Sequence, residues 1–490
     1  MIRYPPSMIV MKFGGSSLES ASAMRQAAAI VREHLPHHPV VVVSAIGTTT
    51  DRLLNAAQQA VRGDSYFSGQ HLEALRRMHF QETRAVLGTR AEPFLRDCVA
   101  PLFQELTNLA GQITEGRTCT PQVQDELLSY GERLSTLIVA EVFRHAGINA
   151  APVDARKLII TDDQFTHAAP QRWETYARLR RSVGLLARDR VIVMGGFIGS
   201  TYGGSTTTLG RGGSDLTSTL VGAGLSADEI QIWSDVDGML TCDPRVFGGG
   251  LRLREITYRE AQEMADRGAK VLAPESIAPA IRQRIPIVIR NSRRPHLEGT
   301  RIVAHTGSAP GTAKSLNSKA GMTVVHLRAR DQGILSSLTD GLSDLFKQAK
   351  VAVEVVEARK HGITFAVRSW PGLPEILRQV DQSVQIEVEE DRAAIWLVGE
   401  GVAQGDETLA RADSILRSAN VRVTSHGSSP MSLGFTVPEA DLHKALAELH
   451  QGFFTEPDPT VFAVPPAHSA TAIARTRCLQ PGQPQTAPAH

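Results

Sequence analysis

Cysteine is scarce in this chain. Its four cysteines, Cys98, Cys119, Cys242 and Cys478, lie far apart among 490 residues and form no CxxC pair. That spacing excludes a zinc site and a disulfide framework, and makes a reducing compartment the default. Long hydrophobic runs are also missing. No stretch approaches the roughly 18 apolar residues of a membrane span. The opening MIRYPPSMIVMKF has too short an apolar run and too many prolines for a secretory signal. Nor does either charge dominate: 52 basic residues stand against 51 acidic ones, a formal net charge of +1. This gives no support to a nucleic-acid or membrane-surface partner. The expectation is a cytoplasmic globular protein. With 42% hydrophobic and 21% charged residues it can build a sizeable core, and its length corresponds to about two to four domains.

Short β-branched runs recur: MIVMKF at 8–13, VVVVSA at 40–45, VIVMGGF at 191–197, EIQIWSD at 229–235 and PIVIRN at 286–291. Apolar runs without alternation suit strands buried on both faces, as in a parallel sheet covered by helices. Between them lie helical patterns such as SAMRQAAAIVREHL, DELLSYGERLSTLIVAEVFRHAG and TYREAQEMADRGAKVLAPESIAPAIRQ. This alternation predicts an α/β class with an open, mostly parallel sheet sandwiched by helices over residues 1–300. Residues 63–122 read as a helical insertion. The polar, Pro- and Gly-rich stretch 301–320 reads as a connection. Two similar runs of strand, helix, strand, strand follow, at 321–386 and 387–455, the second adding a helix. They predict two small α+β modules. The Pro/Ala-rich tail 456–490 is expected to be disordered in large part.

Four stretches carry candidate chemistry. In KFGGSS, 12–17, two glycines after a strand allow close approach to a phosphate and Lys12 supplies a charge beside it, although a tight turn explains the glycines equally well. The lysine precedes the glycines, so this is not a Walker A loop. GGSTTTLGRGGSD, 203–215, runs into a helical pattern, and its glycines and Ser214 can present N–H groups at the helix start, with Arg211 as a planar fork for a carboxylate or phosphate. Asp215 could instead be a simple N-cap, a reading that leaves Arg211 without a role. WSDVDGMLTCDPRV, 233–246, places polar residues at the carboxyl end of a strand, where α/β sheets bind ligands. In GAKVLAP, 268–274, Lys270 stands alone, and its case depends on its surroundings.

Taken together and in order, KFGGSS, VVVVSAIGTTTDRLL, SYGERLS, GGFIGS, TTTLGRGGSDLT, WSDVDGMLTCDPRV and GAKVLAP resemble the aspartate kinases of the amino-acid kinase superfamily. The likeness extends to about Glu456. The repeats after residue 320 look like the paired ACT modules of that family, in a monofunctional member with no homoserine dehydrogenase attached. The resemblance implies transfer of the ATP γ-phosphoryl group, with Mg²⁺, to the β-carboxylate of L-aspartate, the first step of lysine, threonine and methionine biosynthesis. A carboxylate is already ionised at neutral pH, so no general base is needed and catalysis reduces to positioning and charge neutralisation.

By this resemblance Lys12 and Asp215 are catalytic. Lys12, Phe13, Gly14, Gly15, Ser234, Asp235, Leu240, Arg245, Lys270 and Val271 would bind ATP. Ser44, Thr50, Glu132, Arg211 and Ser214 would bind aspartate, Glu132 holding the ammonium group unless it simply pairs with Arg133. Leu240 and Ala273 stand where relatives often have tyrosine and histidine. In VAVEVVEARKHG, Glu354 could hold an effector ammonium (lysine or threonine), though the basic pair Arg359 and Lys360 alters that pocket. Paired modules imply a homodimer or larger assembly. An acetylglutamate-type kinase would generally lack the second half, and a non-catalytic sensor would have lost Lys12, Arg211 or Asp215, all of which are present.

Overall fold

A computed structural model of the chain describes residues 7–269, 272–329, 341–342, 344–349, 351–359, 362–380 and 383–463. It divides into two compact units. The first takes the chain as far as Met239 and then Glu255–Gly307; the second takes Leu240–Arg254 and the chain from Ser308 onward.

Five of the apolar runs become strands of one sheet. In chain order the strands are β1 (Ile9–Phe13), β2 (Val40–Val43), β3 (Ala150–Val153), β4 (Val191–Gly195), β5 (Ile198–Ser200), β6 (Thr206–Thr208), β7 (Glu229–Ser234), β8 (Arg252–Leu253), β9 (Glu255–Thr257), β10 (Ile287–Asn291) and β11 (Thr300–Val303). Eight of these form a sheet in the order β3-β4-β2-β1-β7-β10-β11-β9. All its pairings are parallel except β10 with β11. The four valines of β2 are wholly buried, as expected where helices cover both faces. β1 lies between β2 and β7, so the chain winds outward in both directions from it. A crevice forms at the carboxyl ends of strands where the winding reverses. β5 and β6 make a separate hairpin.

The expected helical insertion is present as Ser65–Leu87 and Ala100–Gly116, joined by shorter turns. Pro121–His145 runs beside it, capped by the Thr120 hydroxyl, which accepts from the Val123 N–H. The third helical pattern is not one helix. Tyr258–Asp266 begins with a capping box between Thr257 and Glu260, the chain turns at Gly268 (φ +105°), and a 3-10 turn at Pro274–Ile277 leads into a second α-helix, Ala278–Gln283.

The second unit holds a six-stranded sheet built from β12 (Ser315–Arg328), β13 (Val353–Arg359), β14 (Gly362–Arg368), β15 (Gln385–Val398), β16 (Ser425–Ser429) and β17 (Ser432–Pro438), with a short β18 (Phe462–Ala463) pairing with β8. The six strands run antiparallel in the order β13-β14-β12-β15-β17-β16. Here the structure differs from the boundaries read in the sequence. β12 is one long strand whose first half, Ser315–Lys319, pairs with Ala394–Val398, and whose second half, to Arg328, pairs with Gln385–Glu389 and β14. The register shifts near Gly321 (φ +68°) and Asp391 (φ +52°), where the two halves meet. Residues 315–319 thus pair with the second repeat although they precede the first. The stretch 301–320 is not a bare connection, since it also contains most of β11.

The segment Leu240–Arg254 is built into this unit. Thr241 Oγ1 lies 2.8 Å from His450 Nε2 and accepts the Leu251 N–H, while the Thr241 carbonyl accepts the Leu316 N–H. Phe247 packs on His450, which also meets Phe454. The first part of the tail is packed: Phe462 is buried against Phe454, and Arg254 N–H donates to Val461 O. Burial of two large apolar side chains explains why this part differs from the expected disorder. The remainder, 464–490, lies outside the described residues, as does much of the helix expected over 333–350.

Candidate active site

Three strand ends are tied together by their backbones. Gly14 N–H donates to Trp233 O at 3.1 Å, Ser44 N–H to Phe13 O at 3.0 Å, and Gly47 N–H to Gly15 O at 3.1 Å. A Cβ on Gly15 would stand 2.8 Å from Ala45 O, so only glycine lets these ends close up. They bound a cleft of about 340 Å³ whose lining includes Lys12, Ser44, Thr50, Glu132, Ser214 and Asp215. With Gly15, which also lines it, seven residues named from the sequence, spread over some two hundred positions, meet in one place.

Lys12 Nζ lies 2.8 Å from Asp215 Oδ1, both side chains mostly buried. Desolvation offsets much of the Coulomb gain of such a pair, so it is weak as a stabilising device. It is better understood as charge held ready for a ligand. Asp215 is not the N-cap. Gly212 (φ +74°) takes that position in the helix Gly213–Leu225, which has no side-chain cap. Gly213 N–H donates to Gly210 O and Leu216 N–H to Gly212 O. The N–H groups of Ser214 and Asp215 remain at the open helix end, an arrangement that attracts anions.

Glu132 sits on Pro121–His145 and is buried. Its Oε1 accepts the Ala45 N–H at 3.0 Å, while Oε2 has no hydrogen-bond partner among the described residues. Burial pushes its pKa up to about 8, against the opposing pull of the Ala45 hydrogen bond. Arg133 does not pair with it. That guanidinium binds Glu105 and Glu126 and lies over the Tyr130 ring.

Arg211 is exposed between Gly210 and Gly212, two left-handed glycines that line the cleft. It makes no ion pair among the described residues. Phe13 differs from its expected role: its side chain is buried and stacked on Trp233, leaving only its backbone near the cleft. Ser234 Oγ accepts the Val236 N–H, and its carbonyl accepts the Ser292 N–H. Asp235 is exposed, with its carbonyl accepting from Asn291 Nδ2. Leu240 and Arg245 fall in the second unit, where Arg245 is bound by Asp243. Lys270 and Val271 lie outside the described residues. In the second unit Glu354 is already engaged, its Oε1 2.6 Å from Lys319 Nζ. Lys360 lies outside the described residues.

Sequence reasoning missed Phe197, whose backbone is left-handed (φ +63°), a costly state for an aromatic residue. Thr217 Oγ1 accepts its N–H, and its ring would lie 2.8 Å from a Cβ on Gly213. The GGF that ends a buried strand was the available signal. Gly196 was missed too: a Cβ there would come within 2.7 Å of Ser214 Cα, so the helix start rests directly on this glycine.

Residues 7–291 match the model of the amino acid kinase family, and 395–453 match an ACT domain. Lysine-sensitive aspartokinase 3 of Escherichia coli is 32% identical over 464 residues, covering 91% of this chain and 99% of that protein. The chloroplastic aspartokinase 1 of Arabidopsis thaliana is 32% identical over 474 residues, covering 93% and 82%. The structure of E. coli aspartokinase III in complex with aspartate and ADP, in its R-state, superposes with a TM-score of 0.75 at 29% identity, covering 91% of this chain and 100% of that one. By the match over residues 7–291 and the likeness along nearly its whole length, the chain belongs to the amino acid kinase family and, within it, to the aspartokinases.

Proposed function

We infer that this protein transfers the γ-phosphoryl group of ATP to the β-carboxylate of L-aspartate, giving ADP and 4-phospho-L-aspartate. A β-carboxylate oxygen forms a bond to the γ-phosphorus as the bond to the β,γ-bridging oxygen breaks. The attacking group is already an anion, so no proton has to be removed. What the site must supply is alignment and positive charge for the spreading negative charge. One observation carries this reading: Lys12, Asp215, the open helix end at Ser214 and the unpartnered Glu132 Oε2 share one cleft.

In this proposal Lys12 bridges the transferring phosphoryl group, and the backbone at Gly14 and Gly15 follows the nucleotide phosphates. Asp215 holds Lys12 in place. Glu132 Oε2 receives the substrate ammonium, Arg211 clamps a substrate carboxylate, and Ser44, Thr50 and Ser214 orient it. Ser234 and Asp235, at the carboxyl end of β7, complete the nucleotide site. Among the described residues no group of three or more His, Cys, Asp or Glu is placed to hold a metal ion. Mg²⁺ bound together with ATP would supply further positive charge against the repulsion between the phosphates and the incoming carboxylate.

Regulation by an amino acid acting on the second unit is part of the proposal, since a relative at 32% identity is named lysine-sensitive. An effector ammonium that used Glu354 would have to displace Lys319. No helix among the described residues is long and apolar enough to cross a membrane. Work in the cytoplasm as a homodimer or larger assembly is proposed, and light scattering tests the assembly. The activity is tested by ADP release from MgATP with L-aspartate, L-glutamate or no acceptor, then with lysine or threonine added. Turnover that needs aspartate supports the reading, and folded protein without it sinks the reading.

A further inference from the structure

The helix that bears Glu132 carries a second buried carboxylate, one that does not line the cleft. Asp125 lies seven positions before Glu132, two helical turns along the same face of Pro121–His145. It is wholly buried. Three donors converge on its carboxylate: Oδ2 accepts the N–H groups of Thr166 and Thr208, both at 2.9 Å, and Oδ1 accepts the Thr208 hydroxyl at 2.7 Å. No stability argument by itself calls for a buried carboxylate here, because apolar residues fill such space at less cost.

What the three donors share is the turn that carries Arg211. Thr208 ends β6, three residues before Arg211. Its carbonyl accepts the Ala168 N–H, fastening the hairpin to the segment 166–168. Thr166 holds a left-handed backbone (φ +72°), which is unfavourable for a β-branched residue and persists only where the surroundings impose it. The segment 166–167 abuts the turn itself: a Cβ on Gly210 would meet His167 Cδ2 at 2.9 Å and Thr166 O at 3.2 Å. The rest of β6 is pinned by side chains, Thr206 by Arg156 and Thr207 by Thr161. The triple threonine is thus an anchored strand end, and Asp125 is the bond between that strand end, the strained Thr166 and the helix that bears Glu132.

We propose that Asp125 is a positioning residue for phosphoryl transfer, fixing the Gly210–Gly213 turn so that Arg211 stands at the correct distance from Glu132. The proposal rests on the reading of the cleft as an aspartate site. A misplacement of about 1 Å at such a site costs up to about 100-fold.

The test compares steady-state KM values for L-aspartate and for MgATP in Asp125→Ala, Asp125→Asn and Thr208→Val, with folding checked by circular dichroism and melting. Asparagine keeps the geometry, since one oxygen can still accept both N–H groups and the amide can donate to the Thr208 hydroxyl. Expected results are an aspartate KM raised about tenfold or more in Asp125→Ala, with the MgATP KM changed less than about threefold, and Asp125→Asn within about threefold of the parent. If the alanine variant does not fold, Thr208→Val decides, with the same one-sided rise expected at about threefold or more. Equal movement of both KM values, no movement in a folded variant, or an asparagine variant as impaired as alanine would each overturn the proposal. Failure of the parent enzyme to use aspartate would overturn the reading beneath it; an active parent with unmoved variants overturns this proposal alone.

Discussion

Glu132 accepts the Ala45 N–H with one oxygen, while the other is buried with no hydrogen-bond partner among the described residues. Its pKa near 8, against an ordinary 4.5, has a defined sign. Between those values the folded chain keeps a proton that the unfolded chain has lost, so this group makes stability fall as pH rises from about 4.5 to about 8. Glu132→Gln should remove that contribution, raising the melting temperature relative to the parent at pH 8 more than at pH 5. An ammonium group beside Oε2 favours the ionised form, so aspartate binding below pH 8 should release a proton. Calorimetry in two buffers of different ionisation enthalpy measures it.

Lys12 and Arg211 should fail differently. Lys12→Ala removes charge at the transferring group, and kcat should fall by about 100- to 1000-fold with a smaller change in the aspartate KM. Arg211→Ala loses a charge-assisted clamp of about 1.5–3 kcal/mol, raising the aspartate KM by roughly 10- to 150-fold. Arg211→Lys should recover only part of this, since an ammonium cannot reproduce the planar fork. Equal and small effects from both alanine variants would undo the roles assigned to them.

Gly196→Ala should damage catalysis with little change in bulk helix content. Its Cβ would stand 2.7 Å from Ser214 Cα, pushing against the first turn of the helix that carries Asp215. A fall in kcat of tenfold or more is expected, together with a lower melting temperature. Parent-like kinetics would mean that the helix start can shift without consequence.

His450 and His79 should make the protein acid-sensitive. Burial lowers each to about 4 from an ordinary 6.5. Below 6.5 the unfolded chain takes up protons that the folded chain refuses, so stability is lost as pH falls from about 6.5 towards 4. His450→Phe should reduce the loss in melting temperature between pH 7 and pH 5. His79→Leu should remove a further part, because it acts in the first unit and not the second.

Much of the site was legible because its chemistry is local. KFGGSS and TTTLGRGGSD announce themselves by glycine density, a charge and a following helix, and the structure brings Lys12 and Asp215 into contact. Glu132 was legible through SYGERLS only by resemblance, since a lone glutamate on a helix carries no signal of burial. Asp125 gave no signal at all: its partners lie 41 and 83 positions away. Phe197 and Thr166 were hidden because nothing in a sequence marks a non-glycine residue for a left-handed backbone. The alternation of short apolar runs with helical patterns announced the first sheet. β12 could not be read as one strand, because Gly321 looks like a break where it is a shift of register.

The winding of Leu240–Arg254 into the second unit has a consequence for how such a protein can be taken apart. A fragment ending near residue 300 would carry this segment without the helix Leu442–Phe454 and strand β18 that contact Phe247, Thr241 and Leu253. The complementary fragment would lack it and present an uncovered apolar seam. The second unit is discontinuous in the chain, so exchanging it whole with that of a relative requires two grafts made together, one of them within the gene segment of the first unit.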